Sequence, residues 1–487
     1  MPTDNPDLFT RRRAGVLLHI TSLPGNGLHG HLGPEALKFS EWLGTAGITV
    51  WQMLPVGPTG SDLSPYQSCS AFAFDPSLAA APHVAGGDIW NTDVDPESYD
   101  WPRAAREFID AGHSRPEFTQ FLEFRKQHTA WLEDYVLYLA IRSSQSDKPW
   151  HDWPVSLRDR NPDALQTFAR EHAAELETYR YQQFVTDLQW QQFRHHANAQ
   201  GVYLFGDVPI FVAYDSADVW AHRKLFLLDP DGAMRAVAGV PPDYFSESGQ
   251  RWGQPLYDWE AHAADGFRWW IERARVQAQR FDLLRLDHFR GFSAYWQIPA
   301  TAETAKDGAW IDAPGVALFK ALNDALGKLP YVAENLGVIT ADVEKLRRKF
   351  AIPGMSVLQF GFDGNAANSN LPHNLEQHAV VYTGTHDNDT TLGWWNSLEP
   401  PDRRRVTEYL GWPMAGMPDA LIGTALRSVS ALAVIPMQDL LHLDSSARMN
   451  LPGLSDGNWR WRFGSSQITD KLSSRIKQQL SLYGRLL

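Results

Sequence analysis

Eight short runs of apolar, β-prone residues, each ending in polar or charged ones, recur along the chain and limit its fold more than any other feature. They are GVLLHI (15–20), VWQMLPV (50–56), VYLFGDVPIFV (202–212), FDLLRLDH (281–288), YVAENL (331–336), SVLQFGF (356–362), AVVYTGTHD (379–387) and SALAVIPMQDL (430–440). Most are nearly continuous in apolar residues, the pattern of strands buried on both faces of a parallel sheet. Helical patterns lie between them: GPEALKFSEWLGTAG (33–47), PGVALFKALNDALG (314–327) and DVEKLRRKF (342–350). The second opens with Pro and closes with Gly, as helices tend to. Strands alternating with helices eight times predict an α/β fold, a (β/α)8 TIM barrel, with residues 1–487 as a single catalytic domain.

The spacing is uneven. Roughly 145 residues separate the second run from the third, far beyond an ordinary βα connection. The stretch from about 105 to 200 is helical in pattern and rich in Trp, Arg and Gln, and residues from about 90 to 200 are expected to form a mostly helical insertion beside the barrel mouth. Residues 213–280 and 388–429 are long enough for further insertions on the same face.

Lys and Arg total 44 and Asp and Glu 57, a formal charge of −13. Such a chain has no bulk attraction to phosphate, which argues against nucleic acid as a partner. The single cysteine, Cys69, allows no intrachain disulfide. Arg11–Arg13 is followed only by the short apolar run GVLL, too short for a signal-peptide core, and no window of about 18 apolar residues suggests a membrane span. A cytoplasmic protein is the expectation. The chain carries 20 Trp, 15 Tyr and 24 Phe, which raises the prior for a carbohydrate ligand, since aromatic faces pack on sugar rings as readily as in cores.

In a (β/α)8 barrel the active site forms at the C-terminal ends of the strands. The fourth run ends Arg285-Leu286-Asp287-His288, the fifth Glu334-Asn335 and the seventh His386-Asp387-Asn388-Asp389, while the third carries Asp207. Arg285 and Asp287, two apart, project to the same side of a strand, where the guanidinium would hold the carboxylate ionised, as a nucleophile requires. Glu334 follows the apolar run YVA, a drier setting that raises a carboxyl pKa and suits an acid that later acts as base. Two carboxylates about 5–5.5 Å apart would support retaining glycosyl transfer through a covalent intermediate. Asp387 would be a third carboxylate, stabilising positive charge or gripping sugar hydroxyls, with His386 and His288 donating to those hydroxyls. The competing account of the same residues is a set of buried ion pairs closing the barrel end.

The segment Arg285-Leu286-Asp287-His288-Phe289-Arg290-Gly291-Phe292 resembles the nucleophile strand of the 4-alpha-glucanotransferases, the amylomaltase or disproportionating-enzyme family related to the α-amylases. LLHITSLPG (17–25), WQMLPVGPTG with SPYQS (51–68), GDVPIFVAYDSADVW (206–220), GVPPDYFSESGQRWGQPLYDW (239–259), AENLGVIT (333–340), GTHDNDT (384–390) and RMNLPGLSDGNWRWR (448–462) extend the resemblance over most of the chain. It implies Asp287 as nucleophile, Glu334 as general acid/base and Asp387 as transition-state stabiliser. It implies that Tyr66, Asp207, Arg285 and His386 surround the reacting sugar, Tyr66 as a stacking platform. It further implies a glucan-binding lid at 239–259, with Tyr244, Phe245, Gln250 and Trp252 touching glucose units. The chain departs from the family's usual residues at Ile20, Asn335 and Gln254, none of them a catalytic group. Gly239, Gly249 and Gly253 would give the lid hinge-like freedom and Pro241 and Pro242 stiffen one arm.

The resemblance implies disproportionation of malto-oligosaccharides and of amylose or glycogen-type α-glucans, with glucose as an acceptor and with no cofactor or metal. Two other enzymes remain open at this point. One is an α-glucan hydrolase of the same superfamily. The other is a metal-dependent barrel hydrolase using His386, Asp387, His288 and His29 as ligands. A non-catalytic carbohydrate-binding protein is the third alternative.

Overall fold

The computed structural model describes residues 7–25, 27–81, 99–242, 247–412, 414–454 and 456–486. Each of the eight apolar runs overlaps a strand, though β1 and β10 begin two residues before theirs and β10 shares only Ser356 and Val357 with its run: β1 (Arg13–Leu17), β2 (Val50–Gln52), β3 (Tyr203–Val208), β6 (Leu283–Leu286), β9 (Tyr331–Ala333), β10 (Gly354–Val357), β11 (Ala379–Tyr382) and β12 (Leu432–Pro436). They form one eight-stranded sheet in the order β10-β11-β12-β1-β2-β3-β6-β9, and every pairing within it is parallel. The Ala333 N–H donates to Pro353 O at 2.8 Å, which draws β9 toward β10 and nearly closes the barrel.

The barrel interior is filled from every strand: Leu17, Val50, Phe205, Leu283, Val332, Met355, Val380 and Leu432 belong to one buried cluster. Their neighbours in sequence, among them Val16, Trp51, Leu204, Leu284 and Val381, pack outward in a second cluster against the helices. Both faces of each strand are therefore apolar, which is why the runs read as continuous rather than alternating. The outer helices include Pro34–Ala46, Arg268–Arg280, Gly315–Leu326, Ala341–Lys349 and Asp470–Leu482.

Between β2 and β3 the described chain is helical, with Trp101–Ala111, Glu117–Gln127, Leu132–Ser144, Pro162–Glu171 and the 27-residue Ala173–Ala199 as its main helices. The last of these is fastened to the loop after β2 by two side chains. Gln183 exchanges hydrogen bonds with Phe74 N and O at 2.9 and 2.8 Å, and Gln189 does the same with Ala80 at 2.9 Å each.

A second sheet was not foreseen from the sequence. β4 (Ala236–Val240), β5 (Gln250–Pro255), β7 (Ala294–Pro299) and β8 (Ala309–Asp312) pair antiparallel in the order β5-β4-β7-β8. β7 and β8 follow β6, so this sheet stands at the catalytic end of the barrel, and the segment read as a lid is its β4–β5 edge. No helix among the described residues is long and apolar enough to cross a membrane.

Candidate active site

Asp287 stands one residue beyond β6 and Glu334 one residue beyond β9, so neighbouring strands deliver both to the same rim. Backbone bonds fix that placement: Asp287 N–H donates to Val208 O and Glu334 N–H to Leu286 O, each at 3.0 Å. The same happens at β3, where Asp207 lies beside Arg285 in the ladder.

Arg285 is the hub. Its Nη1 donates to Asp207 Oδ2 at 2.6 Å and its Nη2 lies 2.7 Å from Asp287 Oδ1. Burial works against the guanidinium charge, but Asp207 and Asp287 outweigh it and hold Arg285 well above its ordinary value. Asp207 is itself buried, which pushes its carboxyl up despite Arg285, and its Oδ1 has no hydrogen-bond partner. Its Oδ2 also accepts from the Tyr66 hydroxyl at 2.7 Å, and that hydroxyl lies 2.9 Å from His386 Nε2. The Tyr66 and His386 rings stack at 5.3 Å with 17° between their planes, and Trp459 leans on both. His386 Nε2 in turn lies 3.4 Å from Asp387 Oδ2. A continuous chain of polar contacts therefore runs Asp287–Arg285–Asp207–Tyr66–His386–Asp387.

Asp387 is the most exposed of these carboxylates and is steadied by the stretch after β12. Asn450 Nδ2 donates to its Oδ1 at 2.6 Å, and Arg448 Nη2 to its backbone carbonyl at 2.9 Å. Two backbone amides hold the Glu334 carboxyl. His288 N–H donates to its Oε2 at 2.7 Å and Leu336 N–H to its Oε1 at 3.1 Å. Burial, aided by the Asp287 charge and opposed by Arg285 and the two amides, pushes the carboxyl from 4.5 up to about 8. Two hollows of about 460 and 440 Å³ flank the Tyr66–Asp207–His386 contact. One is lined by Tyr66, Ser68, Asp207 and Phe211, the other by His386, Asp389, Arg448 and Trp461.

His288 departs from its expected part. Burial drives its imidazole down to about 4, and its Nε2 is enclosed without a partner rather than offered to a sugar hydroxyl. Its backbone takes the left-handed conformation (φ 49°), which turns its amide toward Glu334. The Trp252 ring meets the His288 ring edge-on at 4.9 Å, and Trp252 Nε1 donates to Gln250 Oε1 at 3.1 Å. The lid edge thus touches the residue whose amide holds Glu334. Tyr244 and Phe245 lie outside the described residues.

Two glycines of the 239–259 segment, Gly249 and Gly253, have positive φ (66° and 81°), a conformation that favours glycine. Gly239 does not. It is paired within the sheet, where a Cβ would collide with the Gln250 carbonyl and the Ile298 side chain, so close approach explains it. The departure at Asn335 is also accounted for locally. Its Oδ1 accepts from Met355 N–H at 2.8 Å and its Nδ2 donates to Glu344 Oε1 at 2.9 Å, in space left by Gly354. An aspartate there would set two carboxylates face to face.

Among the described residues no three His, Cys, Asp or Glu side chains gather as a metal-holding group. His29 Nδ1 lies 2.9 Å from Gly30 O, and His386 Nε2 is taken up by Tyr66 and Asp387. The Cys69 thiol is pushed by burial up to about 12, which suits packing rather than nucleophilic chemistry. Sequence reasoning from strand ends missed the Tyr66–Asp207 contact and the support from Asn450 and Arg448, because partners as far apart as residues 66 and 207 leave no spacing signal.

Strand-end carboxylates gathered around one guanidinium and roofed by aromatic rings define a (β/α)8-barrel enzyme of glycosyl-transfer chemistry. A family model described as 4-alpha-glucanotransferase matches residues 18–467. The 4-alpha-glucanotransferase of Thermus thermophilus is 44% identical over 497 residues, spanning 98% of this chain and 99% of that protein. That of Synechocystis sp. is 43% identical over 499 residues, spanning 98% and 99%. Among solved structures, an amylomaltase from Streptococcus agalactiae in complex with acarbose superposes with a TM-score of 0.90 at 33% identity, spanning 98% of this chain and all of that one (100%). The chain belongs to the 4-alpha-glucanotransferase family, and its substrates are α-glucans.

Proposed function

We propose that the chain disproportionates α-1,4-glucans by double displacement on Asp287. In the first step an Asp287 carboxylate oxygen attacks the anomeric carbon of the donor, and the glycosidic bond breaks as Glu334 gives its proton to the departing oxygen. A glycosyl ester on Asp287 results, with retention prepared by this first inversion. In the second step the Glu334 carboxylate takes the proton of an acceptor 4-hydroxyl. That oxygen attacks the anomeric carbon and the bond to Asp287 breaks. Asp387 lies opposite the positive charge that develops at the ring in both steps, and Tyr66, Asp207, Arg285 and His386 hold the sugar between them.

The observation that carries this reading is the contrast between two neighbouring carboxyls. Asp287 is paired with a guanidinium at 2.7 Å, while Glu334 is pushed up to about 8 and keeps its proton at neutral pH. Malto-oligosaccharides, amylose and glycogen-type glucans are the donors, and glucose serves as an acceptor. The acarbose held by the Streptococcus agalactiae relative supports a cleft for α-linked glucose units here as well. The chemistry requires no cofactor. The reading assigns Gln250 and Trp252, with Tyr244 and Phe245, to glucose units beyond the reacting one, where their cover favours a second glucan over water. A cytoplasmic setting fits a chain whose one cysteine forms no internal disulfide.

Maltotriose separates the alternatives. The expected products are glucose together with maltopentaose and longer chains, made undiminished in the presence of a chelator. Products that only shorten, with one new reducing end per bond cut, would make the chain a hydrolase. Loss of activity on chelation would favour the metal reading. Asp287→Asn is expected to lower the rate by several orders of magnitude, and an unchanged rate would leave only carbohydrate binding.

A further inference from the structure

The loop that carries His386 and Asp387 runs from residue 384 to residue 390, and both of its stems are held by one side chain from a third element. Asp439 lies in the helical turn Met437–Leu440 that directly follows β12, and only 1% of it is exposed. Its Oδ2 accepts from Thr383 Oγ1 at 2.6 Å and from Thr391 Oγ1 at 2.6 Å, while its Oδ1 accepts from Thr391 N–H at 2.7 Å. Thr383 is the last residue before the loop and Thr391 opens the helix Thr391–Ser397 after it.

Its partners are two hydroxyls and one amide, with no cation among them. Burying a carboxylate on neutral donors costs the fold more than an apolar residue would. An apolar residue in its place would leave both hydroxyls and the Thr391 amide without this acceptor. The fold therefore keeps a costly group for what it holds. Within the loop, Thr385 N–H and Oγ1 both donate to Asn388 Oδ1 at 2.9 Å, and from outside it Gln359 Nε2 donates to Asp389 O at 2.9 Å and Ser445 Oγ to Asp389 Oδ2 at 2.7 Å. The loop is thus held at both stems by Asp439 and at Asp389 by Gln359 and Ser445.

We propose that Asp439 is a positioning residue for glycosyl transfer: by clamping both stems of the 384–390 loop it sets where Asp387 and His386 stand relative to the sugar on Asp287. The inference rests on the charge-stabilising part assigned to Asp387. A group that acts only in positioning another costs turnover more than ground-state binding, because misplacement is felt most where charge develops.

The test uses the full chain and maltotriose transfer, with folding followed by circular dichroism. Asp439→Ala, which removes the acceptor altogether, is expected to lower kcat about a hundredfold with KM changed less than about threefold. Thr383→Val and Thr391→Val should each lower kcat about tenfold, and Thr383→Ser, which keeps the hydroxyl, should restore it. Thr383→Val added to Asp439→Ala should cost little more than Asp439→Ala alone, since both cut the same clamp. Wild-type kcat in folded Asp439→Ala, or in both folded valine variants should Asp439→Ala not fold, overturns the inference, as does a loss confined to KM. Full activity in Asp387→Asn would instead overturn the assignment beneath it, whatever the result at 439.

Discussion

Glu334 is held between opposing influences, and their balance has measurable consequences. Burial and the Asp287 charge favour the neutral carboxyl, while Arg285 and the amides of His288 and Leu336 favour the anion, and burial wins, at about 8. The free enzyme therefore carries the proton that the first step needs until the pH passes about 8, above which kcat/KM should fall. Glu334→Gln should abolish that limb and lower kcat by roughly 10²–10⁴, with a smaller loss on donors whose leaving group needs little protonation. The same shift has a stability sign. A carboxyl at about 8 in the folded state and near 4.5 unfolded stabilises the fold fully below pH 4.5, and that contribution drains away as the pH climbs through 8. Glutamine has no such loss. The Tm of Glu334→Gln relative to the parent chain should therefore rise across pH 4.5–8, and a flat difference across that window would contradict a raised carboxyl.

At the scale of elements, the barrel strands were legible and the second sheet was not, for one reason. Strands such as β11 and β12 are buried on both faces and so announce themselves as unbroken apolar runs. β5 is an edge strand of sequence QRWGQP whose first residues are exposed, and β8 is the four-residue AWID, so neither has enough apolar length to register. The carboxylates at 287, 334 and 387 could be read because strand ends are where a barrel puts its chemistry. Asp439 could also have been suspected, since it is an acid inside the apolar run SALAVIPMQDL, but its partners at 383 and 391 follow no periodicity. What the edge position of β5 does is testable. Trp252 is only half-buried and its ring rests on His288, so Trp252→Ala should leave the fold intact. It should shift the partition of the glycosyl ester from acceptor glucan toward water, roughly tenfold, by uncovering the cleft. The ratio of glucose-chain growth to new reducing ends reads this directly, and an unchanged ratio would remove the lid from the account.

At the scale of the whole molecule, the long helix Ala173–Ala199 joins the helices that precede β3 to the far end of the barrel. Trp190 on this helix is fully buried, 5.0 Å from Phe74 and 5.1 Å from Phe281, and its Nε1 donates to Arg280 O at 2.9 Å. Phe281 in turn presses on Gly206 of β3, where a Cβ would collide with its ring. One indole thus ties the loop after β2, the backbone of β3 and the residues leading into β6 into a single packed unit, and Gln183 and Gln189 add hydrogen bonds to the same loop. Arg280 and Phe281 lead into β6 at the end that serves stability in a barrel, and Trp190 makes none of the polar contacts that join Asp287, Arg285, Asp207, Tyr66 and His386. Trp190→Ala should therefore cost about 3–5 kcal/mol of stability, as truncations of large buried aromatics do, while turnover per folded molecule stays unchanged. Because the helices share this core with the barrel, the chain should unfold as one unit. Calorimetry is expected to show one transition that moves down intact in Trp190→Ala. If the transition splits instead, with activity surviving the first step, the helices between β2 and β3 would be a separable domain and the barrel would stand without them.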